Sequence, residues 1–208
     1  MDATTQDMVQ TGFDGVRSML SVIIATHESE RALVPTLAAL VRGVAAGLVG
    51  EVVVVDAGST DATAEVADIA GCRFVASSEP LGIRLRDAAA STRAPWLMFL
   101  RAGTVLEPGW VDVVGHFIEQ ADLNRAAQAA VFRPQATPSA NGIAEVLAMM
   151  RNSFAAPRPE HGLVLARRHY EAIGAHEPHE SADTALLRRI GRRRLARLGT
   201  RAAYRAYT

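Results

Sequence analysis

The chain has 208 residues, 49% of them hydrophobic, with 22 basic residues balanced by 22 acidic ones and a single cysteine. That apolar share excludes a disordered chain, and the balance of charge argues against a general nucleic-acid binder. The lone Cys72 excludes an internal disulfide, so the expected setting is the reduced cytoplasm, with Cys72 as a small buried hydrophobe.

The length suits one domain with a sizeable core better than two. The longest apolar region, residues 33–55, is broken by Pro35, Arg42 and Glu51, short of the ~20 uninterrupted residues a membrane span needs. Residues 1–18 hold Asp2, Asp7 and Asp14 and lack the basic start and apolar centre of a signal peptide. They read as a flexible leader to a single domain over residues 19–208.

Strand and helix patterns then alternate, which predicts an α/β fold with a mostly parallel sheet between helix layers. Residues 21–26 form a first strand, and Leu33, Leu37, Leu40, Val41 and Val44 recur at helical spacing after it. Val52, Val53, Val54 and Val55 form a strand buried on both faces. Thr60 or Asp61 caps a helix that stops at Gly71, residues 73–76 form a third strand, and residues 83–92 a helix. Residues 96–100 form a fourth strand, and residues 109–120 a helix begun after Pro108. Beyond it the pattern loosens. We expect a strand at Val131 and Phe132, a loop over 134–141, a helix over 143–150, a strand over 162–166 and a short helix over 167–173. An Arg-rich helix over 183–194 and a strand near 195–203 close the chain.

The most informative stretch is Val55-Asp56-Ala57-Gly58-Ser59-Thr60-Asp61. A carboxylate at the carboxyl end of a buried strand lies in the crevice where open α/β sheets bind ligands. The first strand likewise runs through Thr26 into His27 and Glu28, and two such ends side by side make room for a nucleotide. Asp61 reads as a turn and cap residue.

These segments resemble a known family. Ser21-Val-Ile-Ile-Ala-Thr-His-Glu28, the stretch around Asp56 and Trp96-Leu-Met-Phe-Leu100 are similar to the nucleotide-binding half of family 2 glycosyltransferases with the GT-A fold. Gly162-Leu-Val-Leu-Ala-Arg-Arg-His-Tyr-Glu-Ala-Ile-Gly174 and Asp183-Thr-Ala-Leu-Leu-Arg-Arg-Ile190 are similar to their acceptor half. The nearest flavour is the compact soluble branch associated with radical-SAM and selenium-linked genes. The resemblance divides the domain into a nucleotide-binding half, 19–110, and an acceptor half, 111–208, and implies inverting transfer of a sugar from a nucleoside-diphosphate donor to an acceptor hydroxyl. It makes Thr26, Glu28 and Asp56 nucleotide contacts and Asp183 the general base.

The resemblance also implies a divalent metal, manganese or magnesium, on an Asp-x-Asp signature. Arg101-Ala102-Gly103 stands there instead, and Gly103, at the usual ligand position, has no side chain to bind a cation. Arg84, Arg86 and Arg101 fall near the expected diphosphate and could supply the missing positive charge. The rival expectation is a degenerate relative that binds a nucleotide or a partner without transfer.

His161, His169, His176 and His179 lie among Glu160, Glu177 and Glu180. Pro178 between the last two histidines spoils a shared helical face, so a polar loop over the acceptor cleft is expected rather than a metal site. From residue 186 onward there are eight arginines and no acid. A packed helix with a basic outer face comes first, peripheral contact with anionic membrane second, and nucleic acid last.

Overall fold

In the computed structural model the described residues are 19–124, 128–135 and 157–205. The leader at 1–18, nearly all of the loop at 134–141 and the helix at 143–150 fall outside them.

Eight strands, β1 (Leu20–Thr26), β2 (Val49–Asp56), β3 (Arg73–Ala76), β4 (Trp96–Arg101), β5 (Thr104–Leu106), β6 (Ala129–Pro134), β7 (Leu163–Ala166) and β8 (Leu195–Tyr204), form one sheet in the order β3-β2-β1-β4-β7-β6-β8-β5. The helices are α1 (Glu30–Ala45), α2 (Thr63–Ile69), α3 (Leu81–Ser91), α4 (Trp110–Asn124), α5 (Arg167–Ala172) and α6 (Ala182–Ile190), with a 3₁₀ turn at Pro159–His161. Strands β3, β2, β1 and β4 are parallel, while β7 is antiparallel to both β4 and β6.

The first three strands are laid down outward from β1, and the chain then returns to put β4 on the other side of β1. This reversal is a topological switch point, and its crevice opens at the carboxyl ends of β1 and β4. The register sets Ala25 beside Arg101 and Thr26 beside Asp56, so the strand-end residues singled out above share one edge.

The central strands β1 and β4 and residues 53–55 of β2 are almost wholly apolar because both faces are covered. Val22, Ile24, Val54, Met98 and Leu100 pack with Leu33 and Leu40 of α1 and with Trp110, Val114 and Ile118 of α4. Ile23, Val53, Val55, Leu97 and Phe99 pack with Leu81 and Leu85 of α3 and with Leu186, Leu187 and Ile190 of α6. Strand alternation therefore turns Thr26 and Asp56 toward the α1 layer, and Ala25 and Arg101 toward the α3 and α6 layer.

Two sequence expectations are corrected. The Arg-rich helix stops at Ile190 rather than 194, because Gly191 (φ 75°) leaves the helical region, and Arg192, Arg193 and Arg194 lie in a turn before β8. The three-residue β5 was not foreseen. It is held by its antiparallel pairing with β8, a partner about a hundred residues away in sequence.

Helix α3 meets the segment before α6 at very close range. The Gly82 N–H donates to the His179 carbonyl at 3.2 Å, and a Cβ at Gly82 would lie 1.7 Å from the Glu177 carbonyl oxygen. We therefore expect Gly82→Ala to push residues 177–181 away from α3. Overpacking of this kind costs about 1–3 kcal/mol, read as a lowered melting temperature.

Candidate active site

The β1–α1 and β2–α2 loops are built as one unit. Asp56, 1% exposed, accepts from Thr26 Oγ1 at 2.7 Å and Ser59 Oγ at 2.6 Å on Oδ1, and from the backbone N–H groups of Gly58 at 2.8 Å and Ser59 at 2.6 Å on Oδ2. Burial alone would raise its pKa, but the hydrogen bonds from Ser59, Thr26 and Gly58 outweigh that and hold the carboxyl below its usual range. Four donors fill the roughly four lone-pair sites of a carboxylate.

Glu28 locks the same loops from the solvent side. Its φ of 47° is a conformation that non-glycine residues rarely adopt. It is held there by its own N–H, which donates to Ser59 Oγ at 2.7 Å, and by its carboxylate, which accepts from the Thr60 N–H at 2.8 Å. Asp61 completes the join: Oδ2 accepts from the Glu30 N–H at the start of α1, and Oδ1 from the Thr63 N–H at the start of α2, both at 3.0 Å. It is the turn residue that its position predicts, whereas the N-cap position of α2 falls to Ala62, which has no capping side chain.

A second cluster stands across the crevice. Arg101, at the end of β4, donates through Nη2 at 2.9 Å and Nε at 3.3 Å to Oδ2 of Asp183, in the first turn of α6. Nε2 of His176 lies 3.2 Å from Oδ1 of the same carboxylate, a close approach without good hydrogen-bond alignment. His176 Nδ1 is 2.9 Å from the Tyr170 hydroxyl, and the imidazole packs edge-on against Phe99 at 4.8 Å. Burial pushes the Tyr170 hydroxyl up to about 12, so it stays protonated beside the imidazole. Burial acts to raise the Asp183 pKa, but His176 and Arg101 outweigh it, and the net direction is down. Asp183 is thus a carboxylate kept ionised at the crevice wall.

His176 corrects the expectation of a polar loop. Its side chain is fully buried, on a turn where Gly174 (φ 87°) and Ala175 (φ 54°) bend the chain inward. Arg189 fastens that turn by donating to the Ala175 carbonyl and pairing with Glu177 at 3.1 Å. His179, by contrast, is exposed and pairs with Glu177. The sequence announced neither Tyr170 as a site residue nor the burial of His176, because their meeting depends on this turn, which no residue spacing announces.

The three arginines part company. Arg101 faces Asp183. Arg84 is buried on α3, donating to the carbonyls of Glu79 at 3.0 Å and Val55 at 3.1 Å, and so props the end of β2. Arg86 is exposed beside Asp87 at 3.4 Å.

The residues at the expected metal position do not fit a divalent cation. Gly103 has φ 95°, its N–H donates to Thr36 Oγ1 and the Ala32 carbonyl at 3.0 Å each, and a Cβ there would lie 2.3 Å from the Arg205 carbonyl oxygen. The C-terminal segment thus seals the turn that would have to carry a ligand. Arg101 beside it repels a dication, and no group of three metal-ligating side chains occurs among the described residues. No helix among them is long and apolar enough to cross a membrane.

An α/β sheet with its switch-point crevice between a nucleotide-sized loop pair and a buried carboxylate defines a GT-A type of transferase domain. The family model for glycosyl transferase family 2 matches residues 21–190, and the chain belongs to that family. No curated protein sequence matches it. Among solved structures it is similar to glucosyl-3-phosphoglycerate synthase from Mycobacterium tuberculosis. The complex with Mg2+ and UDP gives a TM-score of 0.67 at 19% identity, covering 92% of this chain and 73% of that one. The complex with Mn2+ and UDP-glucose gives 0.65 at 20% identity, with 92% and 73% covered. The fold is that of a GT-A glycosyltransferase, as the resemblance implied.

Proposed function

We propose that the protein transfers a sugar from a nucleoside-diphosphate donor to an acceptor hydroxyl with inversion, without a divalent metal at residues 101–103. The observation that carries this reading is the Arg101–Asp183 pair, 2.9 Å apart at the edge of the switch-point crevice. The two charges suit the two ends of one displacement. The acceptor oxygen attacks the anomeric carbon, and its proton passes to the Asp183 carboxylate. The bond from that carbon to the β-phosphate oxygen breaks, and the electron pair leaves with the nucleoside diphosphate. Arg101, with guanidinium donors beyond the two on Asp183, faces the charge that develops there. His176 and Tyr170 orient Asp183.

The donor nucleotide sits on the joined loops of Thr26, Glu28 and Asp56. Because the Asp56 carboxylate is filled, its contact with the base requires Ser59 to turn aside, and its larger part is to shape the seat. Of the three arginines, Arg101 takes the diphosphate, Arg84 supports the strand end beneath it, and Arg86 stands apart.

The test is nucleotide release from a panel of UDP-, GDP- and dTDP-sugars with a broad acceptor mixture, run with manganese and with EDTA. Release is expected with one nucleotide class and at equal rate in both conditions. Release that EDTA abolishes and manganese restores overturns the metal-free reading, and no release from any donor overturns transfer itself. Gly103→Asp is not expected to create metal dependence. The aspartate cannot take φ 95° beside the Arg205 carbonyl, so the variant should instead melt lower.

A further inference from the structure

A cleft of about 670 Å³ opens next to the Asp183 crevice, and it is lined by Arg158, Arg188 and Arg192 together with Glu160, Thr184 and Leu187. Pro159 and Leu187 belong both to this cleft and to the hollow that holds Arg101 and Asp183, so the two spaces share a wall. Three guanidinium groups against one carboxylate leave a surplus of two positive charges. Among the described residues, none of the three lies within 4 Å of a carboxylate oxygen, whereas Arg101, Arg189 and Arg201 each do. They come from two separate places, the approach to the 3₁₀ turn and the end of α6, where Gly191 turns the chain so that Arg192 lines the same cleft as Arg188.

We propose that this cleft binds the acid group of the acceptor, a phosphate or carboxylate carried by a hydroxyl compound, and that Arg158, Arg188 and Arg192 select it. The proposal rests on the transfer reading above and names the acceptor's class. Like charges gathered around a concave surface repel one another and focus a field into it. An anion bound by guanidinium forks relieves that repulsion and gains paired hydrogen bonds. The shared wall then fixes the geometry. A molecule whose acid group sits among the arginines holds its hydroxyl toward Asp183, while the donor enters from the loops of Thr26 and Asp56. A neutral acceptor would leave the three charges without a partner.

The test uses the full chain and calorimetric titration with inorganic phosphate and with glycerol phosphate at low salt. Both should bind saturably, about tenfold or more weakly in Arg188→Gln, and not measurably in the triple variant R158Q/R188Q/R192Q. All three residues are exposed, and a melting curve for each variant confirms its fold. Nucleotide affinity should be the same in every variant, because these arginines lie outside the donor seat. Equal phosphate binding by the triple variant, or no saturable binding by the wild type, overturns the proposal. Sedimentation with phosphatidylglycerol vesicles distinguishes the source of the anion: retention on vesicles that the triple variant loses, with no binding of the soluble ester, assigns it to a lipid headgroup. UDP titration is read separately. A chain that binds phosphate through the arginines but no nucleotide keeps the anion site and loses the acceptor role. One that binds nucleotide but not phosphate loses only this inference.

Discussion

Asp183→Asn is expected to lower the rate of sugar transfer by ~10²–10⁴-fold while leaving donor affinity nearly intact. The amide keeps the volume of the side chain and can still accept from Arg101, so the change removes the proton acceptor more than the architecture. The wild-type pH profile carries a second signature. The Asp183 carboxyl is held below its usual range once burial is outweighed by His176 and Arg101. Its base form therefore persists into acid, and the acid limb of kcat/KM should lie below the ordinary carboxylate range. Stability follows the same sign. A carboxyl whose folded pKa is depressed stabilises the native state above its unfolded pKa, and that share is lost as pH falls through the folded value. The melting difference between wild type and Asp183→Asn should thus be full near neutrality, on the order of 1–3 kcal/mol for a charged hydrogen bond, and close in strong acid. Full transfer activity in the variant would place the base elsewhere.

Asp56→Ala should weaken nucleotide binding by about 1–3 kcal/mol, or roughly 5- to 150-fold. The cause is the number of donors it strands. The hydroxyls of Thr26 and Ser59 and the N–H groups of Gly58 and Ser59 all lose their acceptor, and Ser59 no longer holds Glu28 in its left-handed conformation. The two loops should then separate, which hydrogen exchange at the amides of residues 58–60 can follow. Isothermal titration with the productive nucleotide gives the affinity, and Asp56→Asn, which keeps part of the hydrogen bonding, should fall between. An unchanged dissociation constant in Asp56→Ala would remove these loops from the donor seat.

Much of the framework was legible before any coordinates. The apolar runs of β1, β2 and β4 are buried on both faces, so each reads as an uninterrupted strand, and the alternation with helices implied parallel crossovers. Asp56 could be singled out because a carboxylate ending such a run has no core role. Asp61, just before a helix, announced itself as a turn residue. That Gly103 offers no side chain to a cation was legible. Its left-handed φ and its sealing by Arg205 were not, since they depend on where the C-terminal strand returns.

The sequence by itself determined the parallel half of the sheet, the strand-end placement of Thr26, Asp56 and Arg101, and the missing side chain at position 103, because each is settled by local pattern and residue chemistry. Only the tertiary structure decided which charges meet. Arg84, Arg86 and Arg101 look alike along the chain, yet α3 turns one onto backbone carbonyls and leaves one in solvent, while β4 aims the third at Asp183. His176 is buried behind that carboxylate, and Arg158 joins Arg188 and Arg192 around one cleft, through contacts between segments far apart in sequence. Side-chain partners separated by a fold's long connections are set by packing, and no periodicity in the chain records them.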